Sequence, residues 1–132
     1  TQNPGRFTRE RRALPAIALT TDTSVLTSVG NDYGYEHVFA RQIDGLGRPG
    51  DIAIAISTSG RSQNVHAGVL AATAKGLKTV ALTGCDGGSI GAAADIHINV
   101  PDRSVARVQE VHRTILHGIC VLVERAIAGT DQ

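Results

Sequence analysis

Four short apolar runs, separated by stretches of helical character, constrain this chain more than any other feature. They are "LPAIALT" at 14–20, "DIAIAIS" at 51–57, "KTVALTG" at 78–84 and "IHINV" at 96–100. Each has strand length and gives way to small, polar or glycine-rich residues. Continuous apolar strands that alternate with helices belong to parallel sheets covered on both faces. The pattern predicts an α/β three-layer sandwich, with a doubly wound parallel sheet flanked by helices. Ligands are then expected at the C-terminal ends of the strands.

The helices follow from spacing and from their ends. Asp22, Thr23 or Ser24 can cap a short helix with Val25, Leu26 and Val29 on its apolar face, and Gly30 and Asn31 fit its end. A second helix is expected over about 35–46, with Val38, Phe39, Ile43 and Leu46 at helical spacing, broken by "GRPG". A third covers about 62–75 and closes at Gly76. "CDGGSIGAAAD" reads as a glycine-rich turn with a weak short helix. A long C-terminal helix starts at Pro101, Asp102 and Ser104 and ends at Gly129, with Val108, Val111, Ile115, Ile119 and Leu122 as its core positions. Pro15 is compatible with the first strand only near its start.

The 132 residues suffice for one domain with a modest core, and neither a repeat nor an internal boundary interrupts 1–132. A net charge of +1 gives no global pull toward nucleic acid or an anionic membrane. Two Phe, two Tyr and no Trp argue against a base-stacking platform. No apolar run reaches membrane-spanning length and no signal peptide opens the chain, so a cytoplasmic protein is expected. Cys85 and Cys120 read as reduced, structural thiols. The opening "TQNPGRFTRERRALP" is either a solvated lead-in or the interior of a longer protein.

The loop after the second run carries the clearest chemistry. Ser57, Thr58, Ser59, Gly60, Arg61 and Ser62 lie between a strand end and a helix start. Helix N-termini expose unpaired N–H groups and favour an anion. Hydroxyls add donors that turn toward a phosphate, and Gly60 permits a tight turn. Four hydroxyls in these six positions exceed what a helix cap needs, so the loop reads as a phosphate cradle. It is neither a Walker loop nor a dinucleotide fingerprint.

The long helix supplies a second group. Gln109, His112 and His117 sit among apolar residues, where histidine is costly unless paired or bound. A core or interface role and a functional role both fit. His112 is a near neighbour of Gln109 on one face. Gln109 and His117 are eight residues apart, ~12 Å of rise and a turn of ~80°. To share a centre, their side chains must lean together, the helix must be irregular, or different subunits must contribute. Asn31 and Asp32 in "GNDYG", and Asp86 in "TGCDGG", read most simply as turn residues.

With "GNDYGYEHVFARQIDGLGRPGD", "ISTSGRS", "ALTGCDGG" and "RVQEVHRTILH" in order, the chain resembles the phosphoheptose isomerase family of sugar-isomerase (SIS) domains along nearly its whole length. The resemblance implies an aldose–ketose isomerase that converts sedoheptulose 7-phosphate to D-glycero-D-manno-heptose 7-phosphate in heptose biosynthesis. It also implies a cytoplasmic homotetramer with one zinc per site. By the same resemblance Ser57, Thr58, Ser59 and Ser62 bind the phosphate, and Asn31 and Asp32 contact the substrate. Gln109 touches substrate and metal, and His117 is both a metal ligand and the catalytic acid/base.

Two departures stand against the family pattern. Arg61 takes the place of a usual Asn and is expected to point to solvent. The family's N-terminal portion, with two more metal ligands and a second acid/base, has no counterpart in these 132 residues. Two other functions resemble the same fold: a non-catalytic adaptor like the factor that helps assemble the bacterial replication initiator, and a sugar-phosphate sensor. His117 favours the enzyme over the adaptor, and no helix-turn-helix supports the sensor.

Overall fold

A computed structural model describes residues 6–128. The chain divides into two compact units, Leu19–Gln109 and the pairing of residues 6–18 with residues 110–128. No helix among the described residues is long and apolar enough to cross a membrane.

The unit Leu19–Gln109 opens with α1 (Thr23–Tyr33), a 3-10 turn (Tyr35–His37) and α2 (Val38–Leu46). Asp22 caps α1 by accepting the Val25 N–H at 3.0 Å. The helix does not stop at Gly30 and Asn31 as expected. Both lie inside it, and Gly34 ends it with φ +94°. Helices commonly stop at a glycine with positive φ, and here Gly34 rather than Gly30 takes that conformation.

Three parallel strands follow, β1 (Ile52–Ser57), β2 (Lys78–Gly84) and β3 (Ile96–Val100), in the order β1-β2-β3. The crossovers are α3 (Gln63–Ala74) and α4 (Gly88–Ala93). These elements match the sequence reading within a residue or two. The parallel sheet flanked by helices is as expected, and no reversal of strand order occurs among the described strands.

Register explains which side chains are covered. Ala55 pairs with Ala81, and both join Val69 of α3 and Ile90 of α4 in one apolar cluster. A second cluster holds Ile43, Ala72 and Leu77, with Leu19 and Ala53 against it. Small residues on this face let the helices pack close, and burying Val69 and Ile90 contributes roughly 1.5–3 kcal/mol each. The isoleucines of β1 that point the other way, Ile52, Ile54 and Ile56, are exposed.

Segment 14–20 is not a strand. The sheet has three strands among the described residues, and β1 pairs with β2 alone. A strand is held by its ladder, and Pro15 removes one donor from any ladder here. Leu19 is held instead by side chains: Gln42 Nε2 donates to its carbonyl at 2.9 Å, and its own side chain packs on the Ile43 cluster.

Helix α5 (Val105–Ala128) begins in this unit and continues into the other. Its expected end at Gly129 lies outside the described residues. Val108 is fully buried, whereas Val111 and Leu122, expected in the core, are exposed. The apolar stripe of α5 is therefore wider than the surface that buries it.

In the second unit the chain folds back around one carboxylate. Glu124 of α5 is 1% exposed and accepts N–H bonds from Phe7, Thr8 and Arg9, with the Thr8 hydroxyl adding a fourth donor. Arg11 Nε stands 3.3 Å from it, and both side chains are buried. Burial pushes the Glu124 pKa up, but the three backbone N–H bonds and the Thr8 hydroxyl outweigh that and hold it at about 2.

Candidate functional site

The hydroxyl loop leaves the C-terminal end of β1 and enters α3 through Ser62. Ser57 is buried, Thr58 and Ser62 are partly buried, and Ser59 is exposed. Ser57 Oγ and Ser62 Oγ lie 3.0 Å apart, and the Gly60 N–H bonds the Ser57 carbonyl at 3.1 Å. Ser62 occupies the N-cap position but makes no side-chain cap bond. Its hydroxyl is turned to Ser57 instead, which separates this loop from an ordinary serine cap. The first N–H groups of a 12-residue helix thus face the same loop as the hydroxyls.

Backbone contacts brace the loop. Gly60 has φ +67°, and a Cβ there would run into the Gly87 carbonyl. The Ile90 N–H donates to the Gly60 carbonyl at 3.1 Å. Gly84, at the end of β2, likewise has no room for a Cβ beside the Thr58 carbonyl and the Val108 methyls. The cradle is therefore held between the ends of β1 and β2 by glycines that permit close approach.

Arg61 does not simply face solvent. Its guanidinium pairs with Asp86, and its own N–H bonds Ser59 Oγ at 3.2 Å. Asp86 is the turn residue expected, accepting the Gly88 N–H at 3.1 Å, and it also anchors Arg61. Both side chains are well exposed, so solvent screens the pair. Arg61, Asp86, Cys85 and Arg103 border an open cavity of about 420 Å³ beyond the ends of β2 and β3. Spacing gives no hint of this pair, since 25 residues separate its members.

Asn31 and Asp32 occupy the last turn of α1, both exposed. The 3-10 turn that follows meets the start of α3, where Tyr35, Glu36, Gln63 and Asn64 line a small cleft. The fold thus carries the "GNDYG" segment toward the helix start that forms the cradle, and neither Asn31 nor Asp32 hydrogen-bonds to the loop.

A network around the buried Thr83, under the turn, was also missed by sequence reasoning. Thr83 Oγ1 donates to Asn99 Oδ1 at 2.8 Å and lies 2.6 Å from His97 Nε2. Asn99 Nδ2 then donates to the Cys85 carbonyl at 3.1 Å. Cys85 takes φ +53°, in a region most side chains avoid. Neither Cys85 nor Cys120 forms a disulfide, as expected.

Gln109 is exposed and closes the first unit. His112 and His117 belong to the second. His112 is buried, whereas His117 is exposed with its ring 5.3 Å from that of Phe7, tilted at 40°. No group of three or more His, Cys, Asp or Glu side chains suited to a metal occurs among the described residues. Gln109 and His117 offer at most two donors, short of the three or four protein ligands that zinc takes. The described residues therefore do not make a zinc site by themselves.

Comparison with known proteins gives a consistent picture. Residues 2–84 match the SIS domain family. Phosphoheptose isomerase of Geotalea daltonii is 54% identical over 125 residues, which is 95% of this chain and 65% of the relative. Phosphoheptose isomerase of Roseiflexus sp. is 56% identical over 122 residues, or 92% of this chain and 62% of the relative. Among solved structures, phosphoheptose isomerase from Neisseria gonorrhoeae aligns with a TM-score of 0.84 at 48% identity, covering 86% of this chain and 63% of that one. The Francisella tularensis phosphoheptose isomerase aligns at 0.89 and 39% identity, covering 94% and 66%. The chain spans just under two thirds of the length of these relatives. The resemblance drawn from the motifs is borne out.

Proposed function

The chain belongs to the SIS-domain family, and we propose that it acts as a phosphoheptose isomerase on sedoheptulose 7-phosphate, giving D-glycero-D-manno-heptose 7-phosphate for heptose biosynthesis. The observation that carries this is the Ser57–Ser62 loop, where hydroxyls and helix N–H groups face one strand end without a side-chain cap. The identity to phosphoheptose isomerases supports the substrate class.

The reaction moves protons between two adjacent carbons. A base removes a proton from C1 of the ketose, the electron pair forms the C1–C2 double bond, and the C2 oxygen is protonated. Protonation of the enediol at C2, with loss of the proton on the C1 oxygen, gives the aldose. An imidazole can both take up and release a proton, which suits these transfers, and His117 is assigned that role. Ser57, Thr58, Ser59 and Ser62 bind the remote phosphate and so hold the reacting carbons in register. Asn31, Asp32 and Gln109 are assigned to sugar hydroxyls.

Zinc belongs to the proposal with a condition. Gln109 and His117 would supply two of its ligands, the remaining ones being expected in the N-terminal portion of the family's domain. No step above depends on it. A homotetramer in the cytoplasm, as the resemblance to phosphoheptose isomerases implies, completes the reading. The test is a sedoheptulose 7-phosphate isomerisation assay with and without added zinc, run beside intact mass of the purified protein. Turnover supports the reading. Absence of both turnover and sugar-phosphate binding overturns it.

A further inference from the structure

The Glu124 nest does more than tie down residues 7–9. Its donors are specific: the Phe7, Thr8 and Arg9 N–H groups and the Thr8 hydroxyl, with the Arg11 guanidinium 3.3 Å away as the opposite charge. An apolar contact would hold such a segment without fixing each peptide. A buried carboxylate costs desolvation and is tolerated because every donor is placed for it. What it fixes first is Phe7, whose own N–H bonds Glu124 Oε1.

Helical geometry links this to His117. Glu124 lies seven residues beyond His117 on α5, ~10.5 Å along the axis and within ~20° of the same face. One residue of that face grips the Phe7 backbone. The other meets the Phe7 ring at 5.3 Å. We propose that Glu124 and Phe7 are positioning residues for His117: the nest fixes Phe7, and the Phe7 ring sets the plane of the imidazole and shields one of its faces. The imidazole, otherwise exposed on the helix surface, then has one preferred orientation in place of several rotamers. Its value for proton transfer rests on the isomerase reading, whereas the positioning itself does not.

The test uses the full chain with labelled histidine and reads the His117 ring proton signals by NMR. Phe7→Leu removes the ring and keeps the apolar volume. Glu124→Gln keeps the shape and removes the charge that gathers the donors. The ring-current contribution at His117 is expected to vanish in Phe7→Leu. In Glu124→Gln the same signals are expected to shift part of the way or to broaden, with faster amide exchange at residues 7–9. Unchanged His117 signals in Phe7→Leu, in a chain that still folds, overturn the proposal. So does a Glu124→Gln variant with freed amides and a wild-type His117 spectrum. For turnover, kcat is expected to fall roughly tenfold to a hundredfold with KM little changed. Moved signals with undiminished turnover remove His117 from the chemistry while leaving its positioning in place.

Discussion

Ser57 Oγ and Ser62 Oγ stand 3.0 Å apart, one at the end of β1 and the other at the N-cap of α3. Each hydroxyl has one proton, so at most one of them donates to the other. The remaining donor, with the helix N–H groups, is available to an anion. Changing Ser57 and Ser59 together to Ala is expected to weaken binding of the phosphorylated sugar by roughly 1.5–3 kcal/mol for each charged hydrogen bond lost. Binding of the unphosphorylated sugar is expected to change little. Calorimetric titration with both sugars checks this, and equal losses for the two sink the cradle assignment.

His117 carries the second prediction. Asn in its place keeps a polar group of similar bulk but cannot take and return a proton near neutral pH. If the proposed function holds, His117→Asn is expected to abolish turnover and to lower zinc content without changing the oligomeric state. Metal analysis and light scattering beside the kinetic assay decide it. A variant with normal zinc and normal turnover removes His117 from the site.

Acid sensitivity follows from two carboxylates held low. Backbone and side-chain hydrogen bonds from Thr79, with the Lys78 ammonium at 3.0 Å, bring Asp95 down to about 2. Glu124 is brought to about 2 against the effect of its burial. Each folded value lies below the ordinary one, roughly 3.9 for Asp and 4.3 for Glu. The stability each contributes is complete above that ordinary value and is lost as pH falls toward about 2. Unfolding midpoints are therefore expected to drop over this window. The drop should be smaller in Asp95→Asn and in Glu124→Gln, each set against its own midpoint at neutral pH. An undiminished drop in both would locate the acid sensitivity in other groups.

The strands β1, β2 and β3 were legible because short apolar runs and glycine punctuation act locally. The same holds for the Asp22 cap and for the hydroxyl loop, whose parts lie within six residues. What failed depended on distant partners. Residues 14–20 have strand composition, but a strand exists only through its ladder, and Leu19 is held by Gln42 and the Ile43 cluster instead. Gly30 looked like a helix stop because composition does not say which of two nearby glycines takes positive φ. Glu124 gave no signal at all. In the sequence it is one charged residue near the end of the long helix, and its donors lie more than 110 residues away.

Gly60 shows how tightly the cradle depends on its brace. Its φ of +67° is strained for an L side chain, and an added Cβ would meet the backbone of Gly87 and Gly88 rather than a movable side-chain end. Relief requires the loop and the β2–α4 turn to separate, which breaks the Ile90 N–H bond to the Gly60 carbonyl. Gly60→Ala is expected to cost about 1–3 kcal/mol from the backbone strain alone, more when that hydrogen bond is lost. Chemical denaturation measures the cost. Gly45→Ala is the control, because nothing lies within 4 Å of a Cβ there and its φ is not positive. Gly60→Ala should also weaken phosphate binding, since separation of the turn pulls Ser59 and Arg61 out of register. A variant as stable as wild type with undiminished phosphate affinity would mean that the loop does not need its contact with Gly87.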